Sequence, residues 1–451
     1  VLKDAAAAAI YGARAANGVI LITTKRGKEG KAKVDFSAYS GFQQLWKNPG
    51  FLNAQEFATL TNELYTNSGM TPNPEWADPA SLGKGTNWIK QVFRNGPVQN
   101  YYINVSGGTN KLKTTLSLGY LNQAGTMIET YYKRYTGRAT VDLKVNDKLS
   151  FGGALSFASS QNKAQQNSVM NYGIFNLAQE MYPTLGPDAV IGGSSAYFTT
   201  QGDNPVLRAK SMDNRLNDLR LFGNAFGEYE IIKGLKFKTE IGIDADNSRN
   251  SSWNPSAHRG FYVNPQAVLA VTSTQGLNWL IQNTLSFSKR FGNNRISAVV
   301  GQTAQKNDVN WISATGRDFP NEQLQVINAS TLALSRSAGT GSLYALASYL
   351  GRVNYSYADK YLLSASFRRD GSSNFGANHK WGDFYAVSAG WNIASEAFMK
   401  DVEFVSSLKL RGSWGQLGND AIGSFGYLST IRSGSASDNY VFGVGQDIVT
   451  G

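Results

Sequence analysis

The chain has no cysteine among its 451 residues, and only two histidines, His258 and His379. A disulfide framework and a thiolate metal site are therefore excluded, and neither histidine has a neighbour at metal-ligand or nucleophile spacing. Charged residues make up 17%, below the roughly 25% usual for soluble domains. Proline is sparse, with 11 residues. No stretch approaches the ~18 consecutive apolar residues of a membrane-spanning helix. Mean hydropathy is −0.31, but that average misreads a sheet in which only every second residue meets lipid. An initiator methionine and a signal peptide are also missing, and the chain is expected to be an internal piece of a longer protein.

What is abundant is glycine, at 47 residues, and aromatic side chains, at 12%. The combination suits many strands joined by tight turns and does not suit a helical enzyme. The formal net charge is +11, yet the basic residues are scattered singly apart from the run at 25–33. That distribution fits solvated turns and contact with an anionic lipid surface, and argues against nucleic acid as a partner.

Period-two alternation dominates the readable segments. Over 112–120, Leu116, Leu118 and Tyr120 oppose Lys113, Thr115 and Ser117. Over 149–157, Phe151, Leu155 and Phe157 oppose Ser150, Gly152 and Ser156. Ile241 and Ile243 oppose Lys238 and Glu240, and Leu408 and Leu410 oppose Lys409 and Arg411. Alternation alone also fits a soluble sandwich, so the connections must decide. Short turns rich in Gly, Asn and Asp fall at 107–110, 146–148, 233–234, 292–294 and 358–360. Between them lie long connections at 45–98, 161–213, 250–274 and 307–341, with medium ones at 122–130 and 370–382. Soluble domains rarely tolerate several loops longer than ~12–15 residues, whereas outer-membrane barrels have short turns at one end and long loops at the other. About thirteen strands are expected, from 33–43 to 407–415. Tyrosines near strand ends, among them Tyr101, Tyr102, Tyr120, Tyr357 and Tyr361, read as interfacial girdles.

The first residues differ in character. An Ala-rich helical stretch to Tyr11 is broken by Gly12, and 18–25 reads as a buried strand. The whole block 1–25 (VLKDAAAAAIYGARAANGVILITTK) closely resembles the end of the plug domain in SusC/RagA-type TonB-dependent transporters. Three further segments are similar to the same family: 100–108 (NYYINVSGG), 369–376 (RDGSSNFG) with Trp381, Gly382 and 388–391, and 408–419 (LKLRGSWGQLGN).

The resemblance implies an all-β fold, a transmembrane antiparallel β-barrel with about 13 of 22 strands present, preceded by the C-terminal end of a plug. Residues 1–30 would be plug and 31–451 the N-terminal part of the barrel. It implies TonB-dependent import of an oligosaccharide or peptide across a Gram-negative, Bacteroidota-like outer membrane. The partners would be a SusD-like surface lipoprotein, TonB, and outer-membrane lipid and lipopolysaccharide. It implies neither enzymatic activity nor a cofactor. By the same resemblance, Asp4 and Arg14 lie on the plug's inner face or against the barrel wall, where a charge pair would help to hold the plug. An exposed helix-end pair is the competing reading. Trp253 and Trp311, placed in long loops, are candidates for stacking on sugar rings, or else packing anchors. A passive porin is the alternative function, although it gives no reason for the plug-like block. A soluble carbohydrate-binding or hydrolytic β-protein is a third reading, but no carboxylate pair stands out.

Overall fold

The structure is a computed structural model, which describes residues 8–165, 173–189, 203–259, 262–321, 323–331, 334–399, 404–423, 426–427, 440–441 and 448–449. Its strands are β1 Gly30–Gln43, β2 Gly96–Gly108, β3 Leu112–Ala124, β4 Tyr131–Lys144, β5 Leu149–Lys163, β6 Asp213–Ile232 and β7 Leu235–Asn254. There follow a small hairpin, β8 Ala257–Arg259 and β9 Tyr262–Asn264, and then β10 Val268–Phe291, β11 Asn294–Arg317 and β12 Arg336–Tyr357. Last come β13 Tyr361–Ser372, β14 Trp381–Asn392 and β15 Lys409–Gly415. All of these but the small hairpin join one 13-stranded sheet in strict chain order, and a further short pair, β16 Tyr440–Val441 and β17 Ile448–Val449, stands outside it. Every neighbouring pair in the sheet is antiparallel. No helix among the described residues is long and apolar enough to cross a membrane. The strands are the only elements that could.

An unbroken meander puts alternate connections at opposite ends of the sheet, so all the short turns share one end, as their spacing in the sequence requires. Their local chemistry explains them. The Asn146 side chain accepts from the backbone N–H of Lys148 at 2.8 Å and of Leu149 at 2.9 Å, a side-chain mimic of a backbone turn. Ala358 and Asp359 both adopt φ above +50°, the geometry of a two-residue hairpin turn whose twist matches its strands. The 393–408 link is the one longer connection at this end. It is tied down by Glu396, which accepts from Lys360 Nζ (2.8 Å), Tyr361 Oη (2.8 Å) and Trp391 Nε1 (3.1 Å).

The two faces of the sheet are chemically distinct. Leu116, Leu118, Phe151, Leu155, Ile241 and Leu410 are all exposed on one side. Their neighbours Ser117 and Ala154 are buried. On the apolar face Tyr349 stacks on Trp381, and Tyr357 stacks on Tyr361. Tyr349 and Tyr357 are eight residues apart on one strand, about 27 Å along its axis. On strands tilted by the usual ~40°, two aromatic rows at that separation bracket an apolar band roughly 20 Å tall, slightly below the ~25 Å of outer-membrane barrels. Tyr101, Tyr120 and Tyr135 form another aromatic run across β2, β3 and β4.

A buried hydrophobic cluster lies outside the sheet altogether. The described parts of the loops 44–95 and 164–212 fold against one another, with Trp88, Ile89 and Val92 packed on Ile174, Ala178, Met181, Val206 and Ala209. The indole N–H of Trp88 donates to the Tyr182 carbonyl at 2.8 Å. The helix Ala54–Asn67 starts with a reciprocal cap between Asn53 and Glu56. These loops are therefore a packed cap on the long-loop end. The other two long connections are shorter than expected, because β7, β10, β11 and β12 extend into them: what remains is 255–267 and 318–335.

Candidate functional site: the polar inner wall and the segment seated on it

The polar face carries a series of matched charges. Lys236 pairs with Glu228 at 2.8 Å and Lys238 with Glu240 at 2.7 Å. Arg220 reaches both oxygens of Asp244, at 2.8 and 2.6 Å. These long side chains all come from residues of one parity. Strand alternation alone collects them on the side away from the apolar belt.

Against this wall lies the chain before β1. The 3-10 segment Ala9–Arg14 kinks at Gly12, with φ 59° and ψ −126°. There the Ala13 N–H donates to Asp370 Oδ2 at 2.6 Å, and Arg368 Nη1 donates to the Ile10 carbonyl at 2.7 Å. Arg368 also donates to Asp370 Oδ1 (2.6 Å) and to Ser348 Oγ (2.9 Å). Both members of this ion pair are buried. A Cβ at position 12 would come within 1.9 Å of Asp370 Oδ2, so the fit requires glycine on grounds of both space and torsion. From the far side of β15, the Asp420 N–H donates to the Ala13 carbonyl at 3.1 Å. The Asp420 carboxylate in turn accepts from Tyr344 Oη at 2.7 Å.

The other end of the segment meets β3–β6. Arg138 Nη2 donates to Thr24 Oγ1 at 2.8 Å, and Arg26 pairs with Asp142 while lying over the Phe226 ring. Between the two anchors, Ile20, Leu21 and Ile22 are exposed and Ile20 to Lys25 lie outside any strand. The expectation of a buried strand over 18–25 is corrected here only in part: Val19 forms a single β-bridge, while Ile20 to Lys25 are in no strand and Ile20, Leu21 and Ile22 are exposed.

Each residue singled out from the sequence has a definite place, except Asp4, which lies outside the described residues. Arg14 is exposed and donates from Nη1 to Gln305 Oε1 of β11 at 2.9 Å, so it touches the wall through an amide. Trp253 is not in a loop but at the top of β7, and it is only 2% exposed. Packed with Ala267 and Leu269, and edge-on to Phe319 at 5.0 Å, it has no ring face left for a sugar. The stacking expectation for it is corrected to a packing anchor. Trp311 also belongs to a strand, β11, between Thr274 and Thr340, with the same parity as inward-facing Gln305. Sequence reasoning missed Arg368 and Asp370, although they fall within the family-like 369–376 block and its margin. It missed Tyr102 and Phe222 as inner-wall aromatics.

No protein-family model matches the chain. Among curated proteins it is 31% identical to TonB-dependent receptor P3 of Formosa agariphila, over 96% of the chain and 43% of that receptor. It is 29% identical to TonB-dependent receptor SusC of Bacteroides thetaiotaomicron, over 98% of the chain and 45% of that protein. Over nearly its whole length the chain is similar to TonB-dependent receptors, SusC among them. It spans less than half the length of these relatives. Among solved structures, the RagAB peptide transporter matches the whole chain and 54% of its own, with a TM-score of 0.82 at 23% identity. That likeness carries the fold: the sheet is outer-membrane β-barrel wall. The named relatives are receptors and transporters, not enzymes.

Proposed function

We propose that the complete receptor imports a nutrient, an oligosaccharide or a short peptide, across the outer membrane in a TonB-dependent cycle. Residues 1–30 act as the end of the plug and 31–451 as barrel, with a SusD-like lipoprotein at the outer mouth and TonB on the periplasmic side. It works as a transporter and not as an enzyme, without a cofactor. One observation carries the reading: a segment outside the sheet is seated on the polar inner wall through a buried ion pair, at Arg368 and Asp370. An open porin has no use for such a seat. Arg14 and Asp4 join the reading as plug-anchoring charges, and Trp311 as an inner-wall cargo contact. Likeness to the RagAB peptide transporter supports the peptide class, and the oligosaccharide class rests on the resemblance read from the sequence.

The test is uptake of labelled oligosaccharides and of short peptides by cells carrying or lacking the full-length gene, with and without TonB. Accumulation that needs both the gene and TonB is expected. Uptake that persists without TonB would put the passive-channel reading in its place.

A further inference from the structure

We propose that the outward face of β4–β7, just beyond the apolar belt at the long-loop end, binds a phosphorylated glycolipid of the outer leaflet through Lys133 and Arg249. The site rests on the sheet being outer-membrane wall and is independent of the import reading.

This face is turned away from the seated segment, and each of its four strands is already paired on both sides, so no further strand adds to it. Three successive cross-strand rows on it change character towards the long loops. The first, Gly137, Phe157, Leu221 and Ala245, is apolar. The second, Tyr135, Ser159, Leu219 and Asn247, is mixed. The third, Lys133, Gln161, Asn217 and Arg249, is wholly polar. Arg249 stands four residues beyond Ala245, about 13 Å along the strand and about 10 Å in height once the strand tilt is allowed for. Its guanidinium therefore meets lipid headgroups and not hydrocarbon.

The charges decide the ligand class. One row further out, the cations bring their own acids: Lys163 pairs with Glu129 at 2.9 Å and Arg215 with Asp213 at 2.7 Å. Lys133 and Arg249 form no ion pair among the described residues. Lys133 lies 5.3 Å over the Tyr131 ring, and Arg249 is exposed. They share one row and stand three strand spacings apart, about 14 Å, with the exposed amides of Gln161 and Asn217 between them. An arginine takes phosphate through its planar fork and a lysine as a point charge. Each amide both donates and accepts, which suits the hydroxyls and N-acyl groups of amino sugars. Phe157 and Leu221 beneath offer an apolar surface to acyl chains. A soluble anion has no use for that apolar row, and a neutral lipid none for the cations. A lipid with a single phosphate would engage one cation and leave the other unmatched. Two acylated amino sugars with a phosphate at each end use the whole row.

The experiment is microscale thermophoresis of the complete receptor in a neutral detergent, titrated with bis-phosphorylated lipid A and with its dephosphorylated form. Lipid A should bind, and the dephosphorylated form at least about tenfold more weakly. Lys133→Gln combined with Arg249→Gln should weaken lipid A about tenfold or more, the scale of two cations lost at an anionic membrane surface. Lys148→Gln combined with Lys233→Gln, the same loss of charge at the short-turn end, should leave it unchanged. Heat-modifiable migration confirms that each variant is folded. With the unaltered receptor, raising salt from ~0.1 M to ~1 M should weaken lipid A and spare the dephosphorylated form. Inorganic phosphate in about tenfold excess should leave lipid A bound. Equal binding of the two lipids, displacement by inorganic phosphate, or equal weakening by the short-turn pair would each overturn the proposal. So would a receptor dimer that dissociates in the Lys133, Arg249 variant, since a second copy would then cover the row.

Discussion

Asp370 accepts from both Ala13 N–H and Arg368 while almost wholly buried, so its removal leaves a guanidinium without its counter-charge. Asp370→Ala in the complete receptor should cost about 3–5 kcal/mol, read as a fall in the urea midpoint. The Arg368→Leu, Asp370→Leu double variant should cost less than the single one, since no buried charge remains. A single variant with wild-type stability would remove the seat from the list of anchors. Glu396 gives a second test at this scale. Its hydrogen bonds from Lys360, Tyr361 and Trp391, led by that from Lys360, hold its carboxyl down at about 2, against 4.5 ordinarily. A depressed folded-state value means stability that is fully present above pH 4.5 and is lost as pH falls towards 2. Glu396→Gln should flatten the acid limb of the unfolding profile in that window, and an unchanged limb would refute the link. Residue-scale roles were the least legible in the sequence. Trp253, near the end of β7, and Tyr102, in the middle of β2, are both aromatic, and only the fold shows that one is packed and the other half-exposed.

At the scale of elements, alternation was legible wherever one face meets lipid and the other water. It located the strand cores of β3, β5, β7 and β15, and with them the order of the sheet. It failed at the upper ends of β7, β10, β11 and β12, which extend several residues into stretches that read as loops. Segments such as 307–317 (NDVNWISATGR) stand beyond the aromatic rows, where both faces meet water and nothing selects for an apolar partner every second residue. The packed cap formed by described residues of 44–95, 173–189 and 203–212 was hidden for another reason: its core is assembled between segments distant in sequence. The facing itself is testable on neighbouring strands. Ile241 points outward, and Gln282 on β10 sits opposite inward Glu240. Ile241→Arg should cost about 2–4 kcal/mol in refolding of the complete barrel into lipid, and Gln282→Arg about 1 kcal/mol or less. Equal costs at the two positions would contradict the assignment of faces.

For the molecule as a whole, the decisive feature is what borders the sheet. Among the described residues β1 pairs only with β2 and β15 only with β14, so each presents one row of backbone groups without a ladder. All fourteen residues of β1 are exposed. In hydrocarbon each unsatisfied N–H or C=O costs several kcal/mol, and over strands of this length that exceeds any stability a domain can reserve. The inner wall does not offset it, because the seated segment anchors to β3–β6 and β11–β14 and leaves β1 uncovered. In water the same edges are templates for pairing with other chains, next to an outward belt that includes Val34, Phe36 and Phe42 of β1 itself. A polypeptide of these 451 residues alone should therefore aggregate on refolding into liposomes and lack heat-modifiable migration. Adding the remaining barrel strands, in the same chain or as a separate polypeptide, should restore both insertion and migration, because only edge pairing was missing. If the 451 residues alone insert and conduct ions, β1 and β15 must close on one another, and the open-sheet account of this wall fails.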